Sequence, residues 1–181
     1  MVFLDETSTH TSFTRTYGRA PKGQRVVGQV PRNHGPNISC LAALSATGIC
    51  SSLAIPGPVD GAVFQTWLAT ELLPRLTPGT TIVLDNLSVH RGAEVRDLVA
   101  AAGCTLRFLP AYSPDFNPIE LTFSRLKTHL RAVAGRTFDA VVTAIGESFN
   151  TVTTQQAAAW YRHCGYSLPT SDASQPLCNS L

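Results

Sequence analysis

Asp5, Asp85 and Glu120 are the side chains of this sequence best placed to do chemistry. Asp5 follows apolar residues in FLDET, Asp85 follows the β-prone run TIVL, and Glu120 sits in NPIE at the start of a predicted helix; 34 residues separate Asp85 from Glu120. A carboxylate at the end of a buried parallel strand points into the crevice where open α/β sheets bind ligands. Three carboxylates on rigid elements can hold two divalent cations against a phosphodiester, as two-metal phosphoryl transfer requires. Plainer roles exist for each. Asp85 could do no more than cap a turn. In NPIE, Asn117 fits the N-cap, Pro118 the first helical position and Glu120 the third, which together make a capping box. Glu6, beside Asp5, must face the opposite side of a strand because side chains alternate.

The pattern of apolar and turn residues gives the elements that must position these groups. Residues 2–4 are β-prone but too short for a complete strand, and residues 7–24, rich in Thr, Ser, Gly and Arg, read as a loop or irregular hairpin. A strand is expected at 25–30 and a turn at PRNHGPN, 31–37. Two further strands, 38–45 and 49–55, are joined by an ATG turn. Asp60 is the predicted N-cap of an amphipathic helix over 61–73, with Val63, Phe64, Trp67, Leu68 and Leu72 on one face. Strands are predicted at 81–84 and 105–109, and helices at 93–102, 118–133, 138–150 and 154–163. Strands first, then helix and strand in alternation, indicate an α/β fold: an antiparallel meander extended by parallel strands, with helices on the sheet's faces. One domain is expected over residues 1–165, with a disordered tail at 166–181.

The bulk composition supports this. The chain has 181 residues, 44% of them apolar and 14% charged, which suits one globular domain with a substantial core. No apolar run is long enough to span a bilayer, and the N-terminus lacks the form of a signal peptide. The five cysteines form no CxxC pair, which argues for reduced thiols and against zinc. Net charge is only +2, but residues 7–59 contain no acidic residue, while Arg15, Arg19, Lys22, Arg25 and Arg32 all fall there. Arg125, Lys127 and Arg131 form a second basic group after Glu120. Both groups could neutralise phosphates; solvated surface charge is the plainer alternative.

The wording around the carboxylates is specific. YSPDFNPIELTFSRLK at 112–127 closely resembles the last catalytic motif of bacterial insertion-sequence transposases in the mariner-like branch of the DDE superfamily. LDNLSVH at 84–90 resembles the second motif, and YGRAPKGQR at 17–25 resembles the basic segment that follows the first. The likeness covers most of residues 1–133 in the right order; one departure is Ala111, where a second proline would be expected. The resemblance implies a ribonuclease-H-like mixed sheet in which the ends of the first and fourth strands lie side by side, so that Asp5 would stand next to Asp85. It implies that Asp5, Asp85 and Glu120 are catalytic and bind two ions of Mg²⁺ or Mn²⁺, hard cations content with carboxylates, phosphate and water. Asn86 and Asn117 would orient the carboxylates. His90 would contact the site or DNA, or bond only to backbone. Arg15, Arg19, Lys22, Arg25, Arg125, Lys127 and Arg131 would meet DNA phosphates.

The implied activity is metal-dependent strand cleavage, with water as nucleophile, and strand transfer, with the freed 3′-hydroxyl as nucleophile, at the ends of an insertion sequence. Its partners would be double-stranded DNA, both terminal repeats and target, and further copies of the chain in a homodimer or larger complex. Such transposases usually carry an N-terminal helix-turn-helix region; none is expected in the few residues before Asp5, so a separately encoded DNA-binding part is a further expected partner. A cytoplasmic, nucleoid-associated protein without membrane contact is expected. Two other readings are a truncated remnant that binds DNA or inhibits a full-length transposase, and a metal-free glycosidase using a carboxylate pair.

Overall fold

The computed structural model describes residues 1–85 and 92–168. Strand β1 (Val2–His10) is the middle of a five-stranded sheet of order β3-β2-β1-β4-β5. It runs well past the apolar residues that announce it. Thr7 and Thr9 are buried, and their β-branched side chains suit a pleated surface. They extend the antiparallel ladder with β2 (Asn37–Ser45) as far as His10 opposite Asn37. β2 returns through Ala46 and Thr47 as β3 (Gly48–Pro56), with an irregularity at Ala43 and Leu44. On the other side of β1, β4 (Thr81–Leu84) and β5 (Thr105–Phe108) add as parallel strands.

The expected strand at 25–30 does not form. Val26, Val27 and Val30 are exposed, and residues 11–36 carry no strand. A run of β-prone valines needs both a partner ladder and a face to bury, and this one has neither.

Helices cover both faces of the sheet. α1 (Gly61–Trp67) starts at Asp60, whose carboxylate accepts from the Val63 N–H. It continues as a π turn, Leu68–Leu72, and a 3₁₀ turn, Leu73–Arg75. Together with α2 (Ala93–Ala101) it buries Phe64, Trp67, Leu68, Leu72, Val95 and Val99 against Val2, Leu4, Leu41, Ile82 and Leu84. The opposite face, with Phe3, Ile38, Cys40, Leu44 and Val83, packs on α3 (Pro118–Val133), α4 (Phe138–Asn150) and α5 (Thr154–His163). In α3 the buried Ile119, Phe123, Leu126 and Leu130 recur at helical spacing, which sets the rotation of the helix about its axis. The Tyr161 hydroxyl donates toward the carbonyls of Leu44 (2.8 Å) and Met1 (3.0 Å), fastening α5 to the sheet.

Tyr166 and Leu168, which the sequence reading places in a disordered tail, pack on this core; the remainder of that expectation, 169–181, lies outside the described residues. Cys40, Cys104 and Cys164 are free thiols, whereas Cys50 is disulfide-bonded. Reduced thiols were expected throughout, because cysteines far apart in sequence carry no pairing signal until a fold brings sulfurs together. Among the described residues, no helix is long and apolar enough to cross a membrane.

Candidate active site

The parallel register of β1 and β4 pairs Val2 with Ile82 and Phe3 with Val83. Two residues further on lie Asp5, midway along β1, and Asp85, the residue after β4, so the parallel register carries both carboxylates to the C-terminal end of β4. After β5, the chain turns across that end through residues 109–113 and the 3₁₀ turn Pro114–Phe116, then enters α3. Asp5, Asp85, Asn117 and Glu120 thereby line a single cleft, walled by residues 109–114. Asp5 is buried, Asp85 partly buried and Glu120 exposed on the first turn of α3. Glu6, its neighbour in β1, is exposed and does not line the cleft.

Asp5 is held from two directions. One carboxylate oxygen accepts the Glu6 N–H at 2.7 Å, and the other accepts the Asn117 side-chain amide at 2.7 Å. Asn117 is buried, and its Oδ1 has no hydrogen-bond partner. Turning the amide over would set Oδ1 against a carboxylate oxygen, so the contact with Asp5 fixes which way it faces. The capping box expected in NPIE is therefore absent. Asn117 occupies the N-cap position without a side-chain cap, and the Glu120 N–H reaches only the Asn117 backbone carbonyl, at 3.1 Å. Pro118 at the first helical position still starts the helix, since its missing N–H needs no partner there.

Among the described residues, no three His, Cys, Asp or Glu side chains already converge closely enough to cage an ion. The donor set nevertheless fits a hard divalent cation. Three carboxylates and the orphaned Asn117 amide oxygen offer only oxygen ligands, in an open cleft with room for water and phosphate. Asn86 and His90 lie outside the described residues.

The basic candidates separate by environment. Arg15, Arg19, Lys22, Arg25 and Arg32 are exposed on the segment 11–36. Lys127 is half-buried. Arg131 lies over the Phe13 ring, 5.1 Å from its centroid. Arg125 is occupied otherwise: its guanidinium donates to the Thr151 carbonyl and hydroxyl and to Gln156, tying α3 to the α4–α5 corner.

Two features escaped the sequence reading. At the base of the 11–36 segment, the buried Ser12 hydroxyl joins His10 Nδ1 (2.5 Å) and His34 Nδ1 (2.8 Å). Burial, and then the neighbouring His34, hold the His10 pKa below its ordinary value. The second is Tyr112 on the cleft wall, with a left-handed backbone (φ 56°). Neither has a local sequence signal; each depends on what the fold sets opposite it.

A family model described as DDE superfamily endonuclease matches residues 1–142. Solved structures that share the fold include three of the Mos1 transposase. The Mos1 strand transfer complex superposes with a TM-score of 0.70 at 20% identity, over 90% of this chain and 50% of that chain. The Mos1 mariner paired end complex with Mn gives 0.66 at 18%, over 90% and 51%. The catalytic domain of Mos1 mariner transposase gives 0.64 at 16%, over 90% and 74%. The chain thus spans about half the length of the transposase in those complexes. No curated protein matches the sequence.

Proposed function

Since this chain belongs to the DDE superfamily endonucleases, with the ribonuclease-H-like fold of the Mos1 catalytic domain, we propose that it is a transposase catalytic domain. In this reading it cuts DNA strands at the ends of a mobile element and joins the freed 3′-ends to target DNA. The observation that carries the proposal is the meeting of Asp5, Asp85 and Glu120, from the middle of β1, the end of β4 and a helix start, in one cleft.

Asp5, Asp85 and Glu120 would hold two Mg²⁺ or Mn²⁺ ions. Such ions, when bound, make water or a 3′-hydroxyl a competent nucleophile and stabilise the leaving 3′-oxygen. Asn117 acts as a positioning residue. By donating to one oxygen of Asp5 it fixes the carboxylate's rotation. The exposed cations of 11–36 supply sequence-independent attraction to phosphates. Recognition of element ends, pairing of two ends by further copies of the chain, and any separate DNA-binding part belong to the same proposal. The paired-end assembly of the Mos1 relative supports it. Cleavage and joining need only one site, because each step attacks a phosphodiester.

The test is nicking of an end-labelled DNA duplex by the purified chain with Mg²⁺, Mn²⁺ or EDTA, beside Asp85→Ala and Glu120→Gln. Nicking that requires metal and disappears in both variants is the expected result. Bound DNA that stays intact, with the fold preserved, would overturn catalysis in favour of an inhibitory DNA-binding protein.

A further inference from the structure

We propose that Tyr112 is a stacking platform for an unpaired nucleobase beside the scissile phosphate. The inference rests on the catalytic reading above and adds a contact that the motif carboxylates do not provide.

Tyr112 lines the same cleft as Asp5, Asp85 and Glu120. Its side chain is 102% exposed, so the ring contributes nothing to any core. Its backbone is left-handed, with φ 56°, a region in which a bulky residue is a true outlier and glycine would sit without strain. An aromatic residue kept in a strained, fully solvated position has no folding reason to be there, and strain of this kind gathers at functional sites.

The loop that bears the ring is firmly held. The Phe116 N–H bonds to the Ser113 carbonyl (3.2 Å), the Asn117 N–H bonds to the Pro114 carbonyl (2.9 Å), and the Tyr166 hydroxyl donates to the Phe116 carbonyl (2.7 Å). Phe116, half-exposed on the same loop, adds a second ring close by in sequence. Rigid aromatic rings in the open are what single-stranded nucleic-acid sites use, because every base has a π face and stacking tolerates sequence. A ring at the rim of a phosphodiester site can hold the base of a terminal nucleotide. That would keep the freed 3′-oxygen in place between cleavage and joining.

The test uses the whole chain and a DNA duplex carrying 2-aminopurine as an unpaired 3′-terminal base, with a fully paired duplex as reference. Asp85→Ala serves as background so that no strand is cut. Binding should quench the unpaired 2-aminopurine. Adding Tyr112→Ala should remove the quench and weaken binding of the unpaired duplex about tenfold, with little change for the paired one. Tyr112→Trp should keep both properties. Tyr112→Gly should bind as Tyr112→Ala does while folding at least as stably, which excludes misfolding as the cause. The same quench without the ring, an equal loss on both duplexes, or no binding of either would overturn the proposal. Nicking by the parent chain judges the catalytic reading separately. A quench that depends on Tyr112 in a chain that cannot nick would remove that reading alone.

Discussion

Asn117 shows how one side chain can be claimed by two local structures. In isolation, NPIE is a helix start, and an asparagine there ordinarily accepts from the helix's own amides. In the folded protein its amide donates to Asp5 instead. Asn117→Ala should therefore leave the helix nearly unchanged and lower metal-dependent nicking by roughly 10- to 100-fold, the usual effect of removing a support from a metal ligand. Asn117→Asp should be worse, since it sets a like charge against Asp5; parallel assays over a Mg²⁺ titration would show the loss as weaker metal affinity. His10 gives a prediction in pH. Its ordinary pKa of 6.5 is lowered in the fold by burial and by His34, so the native state binds fewer protons than the unfolded state. Stability from neutral His10 is then complete above about 6.5 and declines as pH falls below it. Ser12, His34 and the Phe13 ring face His10, with Arg131 over Phe13 and Arg136 on the Thr11 and Phe13 carbonyls. The drop in melting temperature between pH 7.5 and 5.5 should shrink in His10→Gln.

Elements with clear apolar spacing were legible in outline. β4 and the three C-terminal helices run where that spacing predicts them. The failures at this scale share one cause. β1 proved longer because its polar half is stabilised by β2, and the valines at 26–30 proved strandless because nothing pairs with them. Helix ends give a further test. α3 stops at Ala134, which is left-handed (φ 53°, ψ 45°) and donates to the Leu130 carbonyl. Ala134→Gly should relieve that conformation and stabilise the protein by ~1 kcal/mol in urea unfolding. By contrast, Leu126→Ala on the buried stripe of α3 should cost about 2–5 kcal/mol and, through α3, loosen the position of Glu120.

Across the whole molecule, a net charge of +2 hides a segment that is only basic. If the 11–36 cations meet phosphate, Arg19→Ala and Lys22→Ala should each flatten the salt dependence of DNA binding, by about 0.9 in log K against log salt per lost contact. Arg125→Ala should leave that slope alone and lower thermal stability, because its partners are Thr151 and Gln156. The sequence by itself determined the carboxylates, the helices and most strands, since these follow from residue type and short-range periodicity. It also carried the family resemblance that anticipated Asp5 beside Asp85. Only the tertiary structure decided how that adjacency is made, by the parallel register of β1 on β4. It alone turned Asn117 toward Asp5, engaged Arg125 with Thr151 and Gln156 and left Tyr112 standing open on the cleft wall. Those outcomes depend on contacts between residues tens of positions apart, and local propensity carries no information about which distant group will be the stronger partner.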